Sequence, residues 1–246
     1  MDKKRKLIGV YDYTVILTYI GLCCSVIGMT QAIDGRFRIA IVCLALSGLC
    51  DMFDGKIARS KKNRTDEEKL FGMQIDSLCD VICFGVYPAM ICWLLGVRGL
   101  IGWAVICFYC VCSVIRLGFF NVLETKRQQE EDGANKYYHG LPITSMAIVL
   151  PLVFMLQVFI SNCAFVLALY LSLFIVGLLF VVDFRLKKPN NMQLTVLVLV
   201  VAVAVVIMIL LSNYNVPKLS FPNTGFFDWL SKQLRNERHG TGAGKP

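Results

Sequence analysis

Apolar residues in this chain come in seven long runs, each bounded by short polar segments. The runs are about Tyr13–Ile33, Phe37–Ala58, Phe71–Leu95, Leu100–Leu123, Pro142–Ile160, Cys163–Val182 and Met192–Leu211. Each is close to the roughly 20 residues that a helix needs to cross the hydrocarbon core of a bilayer. A helix satisfies its backbone donors and acceptors internally, which hydrocarbon demands. The pattern therefore predicts an all-α, polytopic membrane bundle. Two charged stretches, Lys61–Lys69 and Glu124–His139, are expected to be polar loops. Residues 1–212 are expected to form one membrane domain. Residues 213–246 form a tail in which Phe226-Phe227-Asp228-Trp229-Leu230 would start a short interfacial helix.

Composition strengthens this picture. The chain is 57% hydrophobic and 17% charged, far too apolar for an ordinary soluble domain. Its formal charge of +8 points first to cytoplasmic loops and anionic lipid. No basic segment interleaved with aromatic residues is present, so no nucleic-acid partner is expected. Lys3-Lys4-Arg5-Lys6 precedes the first run without a small-residue cleavage site, which predicts an uncleaved first span starting in the cytoplasm. Under that topology 17 of the 25 lysines and arginines fall on the inner side. An odd number of spans leaves the basic tail outside, against the trend. The 11 cysteines lie almost wholly in apolar runs, where they act as small hydrophobes rather than as a disulfide framework. Cys107-x2-Cys110-x-Cys112 lacks a second ligand pair, so packing is its expected role.

Four acids interrupt this apolar background: Asp51, Asp54, Asp76 and Asp80. An ionised side chain at the centre of a membrane helix costs roughly 2.5–3.5 kcal/mol on insertion scales. Asp51 and Asp54 are three residues apart and Asp76 and Asp80 four apart, so each pair shares a helix face. Both pairs are expected at the inner ends of their spans, at one depth. Two divalent cations would bring the four charges near neutrality, and carboxylate oxygens suit Mg²⁺ or Mn²⁺. Gly55, Ala58 and Gly72 leave room beside the acids, and Arg59 is a cation suited to phosphate oxygens. Together these features suggest metal-assisted phosphoryl chemistry.

Asp51-x2-Asp54-Gly55-x2-Ala58-Arg59 followed by Gly72-x3-Asp76-x3-Asp80 resembles the signature of the CDP-alcohol phosphatidyltransferases, with all eight residues present. The 12 residues between Arg59 and Gly72 exceed the family's more usual eight or nine. The resemblance implies a core of six spans with one more C-terminal span here, a homodimer, and transfer of a phosphatidyl group from CDP-diacylglycerol. It implies that Asp51, Asp54 and Asp76 hold two divalent ions, with Asp80 as a further ligand or as the general base. Asp54, Gly55, Ala58, Arg59 and Gly72 would bind the CDP moiety.

Other segments resemble the phosphatidylserine synthase branch: Phe84-Gly85-Val86-Tyr87-Pro88-Ala89, Arg116-Leu-Gly-Phe-Phe-Asn121, and Gly140-Leu141-Pro142. Phe119 stands where that branch usually has a second arginine. L-serine is the acceptor this implies, with Arg116 as an anion ligand. Asn121 would orient Arg116 or cap a helix end, and His139 sits beside the Gly-Leu-Pro turn. The site would face the cytoplasm from the cell membrane, with the acyl chains left in lipid. The alternatives are another acceptor (glycerol 3-phosphate or an inositol phosphate), a divalent-cation or substrate transporter, and a catalytically silent scaffold.

Overall fold

The computed structural model describes residues 13–60, 65–129, 137–187 and 191–210. A 3-10 turn at Tyr13–Val15 leads into α1 (Ile16–Ile33), and a tight turn at Gly35 reverses the chain into α2 (Phe37–Ser60). Next comes α3 (Asp66–Asp80), which passes through a π-helical segment, Val81–Val86, into α4 (Tyr87–Leu94). Then follow α5 (Gly99–Gln129), α6 (Met146–Leu156), α7 (Asn162–Val181) and α8 (Asn191–Leu210). Apart from one short strand pair, the structure is the helical polytopic bundle that the hydrophobic pattern predicts. Among the described residues, four rods are long and apolar enough to cross a membrane: Ile16–Ile33, Asp66–Leu94, Gly99–Lys126 and Asn162–Val181. α2 has 24 residues and ample length, but it carries Arg38, Asp51, Asp54, Lys56 and Arg59. Shorter apolar stretches lie at Ile143–Leu156 and Val198–Ile207.

Both expected loops are partly helical. Asp66–Leu70 forms the first turns of α3, because Thr65 and Glu68 make a capping box. The Thr65 hydroxyl accepts from the Glu68 N–H at 3.2 Å, and the Thr65 N–H donates to Glu68 Oε2 at 3.0 Å. Lys69 pairs with Asp66 one turn away at 2.9 Å. α5 likewise continues to Gln129, through residues with good helix propensity. A further departure is a two-stranded antiparallel ribbon, β1 (Tyr137–His139) with β2 (Arg185–Lys187), in the register Tyr137 to Lys187 and His139 to Arg185. Next to it, Gly140 takes φ +71°, and its N–H donates to the Phe184 carbonyl at 2.8 Å. The Leu141 N–H donates to the Leu179 carbonyl at 3.1 Å. These bonds tie the Gly-Leu-Pro turn to the end of α7.

The helices meet through small residues. α1 buries Thr18, Gly21, Ser25, Gly28 and Ala32, spaced alternately three and four apart. That seam faces α2 in antiparallel register. A Cβ on Gly21 would meet Cys50 Cβ at 3.3 Å, and Ser25 donates to Ser47 at 3.0 Å. A Cβ on Gly28 would overlap the Tyr87 hydroxyl and lie 2.7 Å from Cys43 Cβ. Such close approach gives helices their van der Waals attraction in lipid, where burial against water offers none.

The core lies among α2, the π segment, α4, α5, α6 and α7, around Ile41, Leu44, Phe84, Tyr87, Tyr109, Leu150 and Phe165. Each buried tyrosine there has an acceptor: Tyr87 donates to the Ala40 carbonyl at 2.6 Å, and Tyr109 donates to the Phe84 carbonyl. The opposite faces are apolar and exposed. Leu167, Leu171, Phe174 and Leu178 run down α7, and Val111, Val114, Ile115, Phe119 and Val122 down α5. Val196, Leu199, Val200 and Val203 do the same on α8. These stripes are the surface a membrane protein presents to lipid. All 11 cysteines are free thiols, and Cys92 and Cys112 are packed inside the bundle.

Candidate active site

Two helices supply the acids. α2 carries Asp51 and Asp54 on one face, and α3 carries Asp76 and Asp80 on one face. The α1–α2 seam and the packing of α3 against α1 bring those faces together. Asp51, Asp76 and Asp80 each offer a carboxylate oxygen, and these oxygens lie within 4.8 Å of one another. Asp54 lies one turn beyond Asp51 on the same face of α2. Asp54 is buried, and Thr18 Oγ1 donates to its Oδ2 at 2.8 Å. The cluster therefore joins both pairs, with Asp54 anchored from α1.

Oxygen donors alone make up this set, with no imidazole or thiol among the three that converge. That chemistry fits Mg²⁺ or Mn²⁺ and does not fit a soft metal. The negative charge points the same way. Several carboxylates packed this closely inside a bundle repel one another, and a bound cation converts the repulsion into attraction.

The remaining predicted residues fall at defined places. Gly55 lies one position beyond Asp54 on α2, and Gly72 one turn before Asp76 on α3; both are half-buried. Ala58 and Arg59 occupy the last turn of α2, and their side chains lie outside the described residues. The same holds for the side chain of His139, whose backbone is in β1. The basic N-terminal residues Lys3–Lys6 and the tail with its expected interfacial helix also lie outside them.

Arg116 is buried at 5% exposure and does not reach out to solvent. Its Nε donates to the Leu141 carbonyl at 2.9 Å, and its guanidinium stands 5.8 Å from the centre of the Phe120 ring. The turn that the ribbon holds in place thus holds Arg116 as well. Asn121, expected to orient Arg116 or cap a helix end, accepts from Ser77 Oγ at 2.7 Å. That bond ties α5 to α3 beside Asp76. Phe119, at the position of the missing second arginine, is 50% exposed on the outward side of α5.

Thr18 and Ser77 escape a reading of the sequence, because each is one small polar residue in an apolar or charged run. The signal for Thr18 is the Thr-Gly-Ser-Gly-Ala spacing along α1, which marks the face that meets α2.

The family model described as CDP-alcohol phosphatidyltransferase matches residues 14–180, more than half of the chain. A CDP-diacylglycerol–serine O-phosphatidyltransferase of Mycobacterium tuberculosis is 29% identical over 133 residues, 54% of this chain and 45% of the relative. One from Saccharomyces cerevisiae is 37% identical over 108 residues, 43% of this chain and 38% of the relative. An archaetidylserine synthase of Methanothermobacter thermautotrophicus is 30% identical over 155 residues, 61% of this chain and 60% of the relative. The chain spans about half the length of the curated relatives it matches. The matched region contains both acid-bearing helices and the bundle around them, and on that match the chain belongs to the CDP-alcohol phosphatidyltransferase family.

Proposed function

We propose that this chain transfers a phosphatidyl group from CDP-diacylglycerol to L-serine, giving phosphatidylserine and CMP. The observation that carries the chemistry is the convergence of Asp51, Asp76 and Asp80, with Asp54 anchored beside them. The choice of serine is supported by the relatives, which carry serine phosphatidyltransferase or archaetidylserine synthase names.

Asp51, Asp54, Asp76 and Asp80 would hold divalent ions, Mg²⁺ or Mn²⁺ and two in number, whose chemistry is to neutralise the diphosphate and the departing CMP oxygen. Asp80 acts as general base. It takes the serine hydroxyl proton as that oxygen bonds to the lipid-bearing phosphorus. The phosphorus–oxygen bond to CMP breaks, and CMP leaves with the electron pair. Gly55, Ala58 and Gly72 give the cytidine room, and Arg59 contacts phosphate. Arg116, fixed by the Leu141 carbonyl, binds the serine carboxylate. Asn121 and His139 stand at the acceptor side. The site opens to the cytoplasm from the inner leaflet of the cell membrane, with the N-terminus on the same side. Residues 1–212 form the catalytic membrane domain, and the enzyme works as a homodimer.

The test is an acceptor screen on the purified chain in nanodiscs with CDP-diacylglycerol and Mn²⁺. L-serine should release CMP and yield phosphatidylserine. CMP release with glycerol 3-phosphate or an inositol phosphate but not with serine would overturn the acceptor. No CMP release with any alcohol, together with cation uptake into proteoliposomes, would overturn the enzyme.

A further inference from the structure

Resting on the assignment above of the acids as cation ligands, we propose that Thr18 is a positioning residue for the site. Its hydroxyl holds the Asp54 carboxylate in the orientation that divalent-cation binding requires. α1 supplies no acid to the cluster. Its Thr18 nevertheless donates across the helix interface to Asp54 Oδ2 at 2.8 Å, and both residues are buried.

Two other threonines show what a helical threonine ordinarily does. Thr30 donates to the Ile27 carbonyl and Thr125 to the Asn121 carbonyl, each within its own helix. Thr18 turns its proton outward to a carboxylate 36 residues away. An O–H donated to a carboxylate is among the stronger hydrogen bonds. It fixes one oxygen of the acid and so restricts rotation about the Cβ–Cγ bond. The position is set by the α1–α2 seam, in which Thr18, Gly21, Ser25 and Gly28 meet Asp54, Cys50, Ser47 and Cys43 in turn. Sliding one helix by a turn would present Asp54 with Gly21 or Thr14 in place of Thr18.

The rival is simple adhesion, in which the bond only glues α1 to α2. Ser25 provides the control. It donates to Ser47 at 3.0 Å in the same seam, so its proton goes to a hydroxyl and not to an acid. The experiment titrates Mn²⁺ into the metal-free full chain in nanodiscs by electron paramagnetic resonance. In parallel, CMP release is measured against Mn²⁺ concentration. Thr18→Val removes the donor and keeps the volume. It should raise the Mn²⁺ dissociation constant about 10- to 100-fold, as loss of a ligand's supporting hydrogen bond does elsewhere. The metal concentration for half-maximal activity should rise in step, and saturating Mn²⁺ should restore most of the turnover. Thr18→Ser keeps the donor and should bind like wild type. Ser25→Ala should leave both constants unchanged.

If Thr18→Val does not fold, Thr18→Ala carries the same comparison, since it only removes atoms. Wild-type Mn²⁺ affinity in the donor-less variant would overturn the proposal, as would an equal shift in Ser25→Ala. A wild-type chain that binds no Mn²⁺ would instead overturn the cation assignment itself. The two failures are therefore read from different samples.

Discussion

Replacing Asp80 by asparagine separates its two proposed roles. The amide keeps the volume and the hydrogen-bonding capacity but can neither hold a negative charge nor take a proton. As general base, Asp80 is worth roughly 10²–10⁴ in rate, or about 3–5 kcal/mol of barrier. CMP release by Asp80→Asn at saturating Mn²⁺ should fall by that factor. The cluster geometry adds a second number. At 4.8 Å, two like unit charges repel by about 3.5 kcal/mol with an effective dielectric constant of about 20. Asp80 takes part in two such pairs, with Asp51 and Asp76. The metal-free variant should therefore melt above metal-free wild type, and Mn²⁺ should stabilise it less. Both are measured on nanodisc-reconstituted protein, by nucleotide release and by thermal unfolding with and without metal. Turnover within about tenfold of wild type would remove Asp80 as base. A lower melting temperature for the metal-free variant would refute the charge-repulsion account.

Other substitutions probe the frame. Gly28→Ala places a methyl group against the Tyr87 hydroxyl and Cys43, so it should cost about 1–3 kcal/mol, seen as earlier thermal unfolding. Thr65→Ala breaks the capping box of α3 and should cost about 1 kcal/mol, with faster amide exchange over Asp66–Leu70. Arg116→Gln keeps hydrogen-bonding atoms but loses the charge; KM for serine should rise at least tenfold while KM for CDP-diacylglycerol stays within about twofold. Gly140→Ala forces a left-handed backbone on a residue with a Cβ and crowds the Val182 carbonyl at 3.2 Å. It should raise KM for serine by loosening the turn that holds Arg116.

Much of this was legible in advance because membrane physics compresses the code. Apolar runs of bilayer length can do little but form helices, so the bundle followed from run lengths alone. The acids were legible because a charge in such a run demands a reason, and their three- and four-residue spacing put each pair on one face. The errors arose where local and long-range signals compete. The charge of Asp66–Lys69 suggested a loop, yet Thr65 and Glu68 cap a helix that charge alone does not forbid. The ribbon between β1 and β2 has three residues per strand, too few for an alternating pattern to declare itself. Thr18 and Ser77 matter through partners 36 and 44 residues away, which no local window reveals. The capping box, Thr65-x2-Glu68, is a missed feature that a four-residue window does show.

The widened turn at Val81–Val86 begins immediately after Asp80. A π turn accommodates one extra residue relative to an α-helix, and each residue of an α-helix advances the side chains by about 100°. The carbonyls of Phe84 and Gly85 accept from Tyr109 and from Cys110 of α5, so a neighbouring helix braces the distortion. Shortening this segment by one residue would give an uninterrupted rod whose lower half is turned by about a quarter of a revolution against its upper half. Tyr87 could keep its bond to Ala40, or Asp76 and Asp80 could keep facing α2, but both could not hold at once. In this protein the surplus residue works as a fixed angular offset: it lets one rod be anchored in the core at one end and aimed at chemistry from the other.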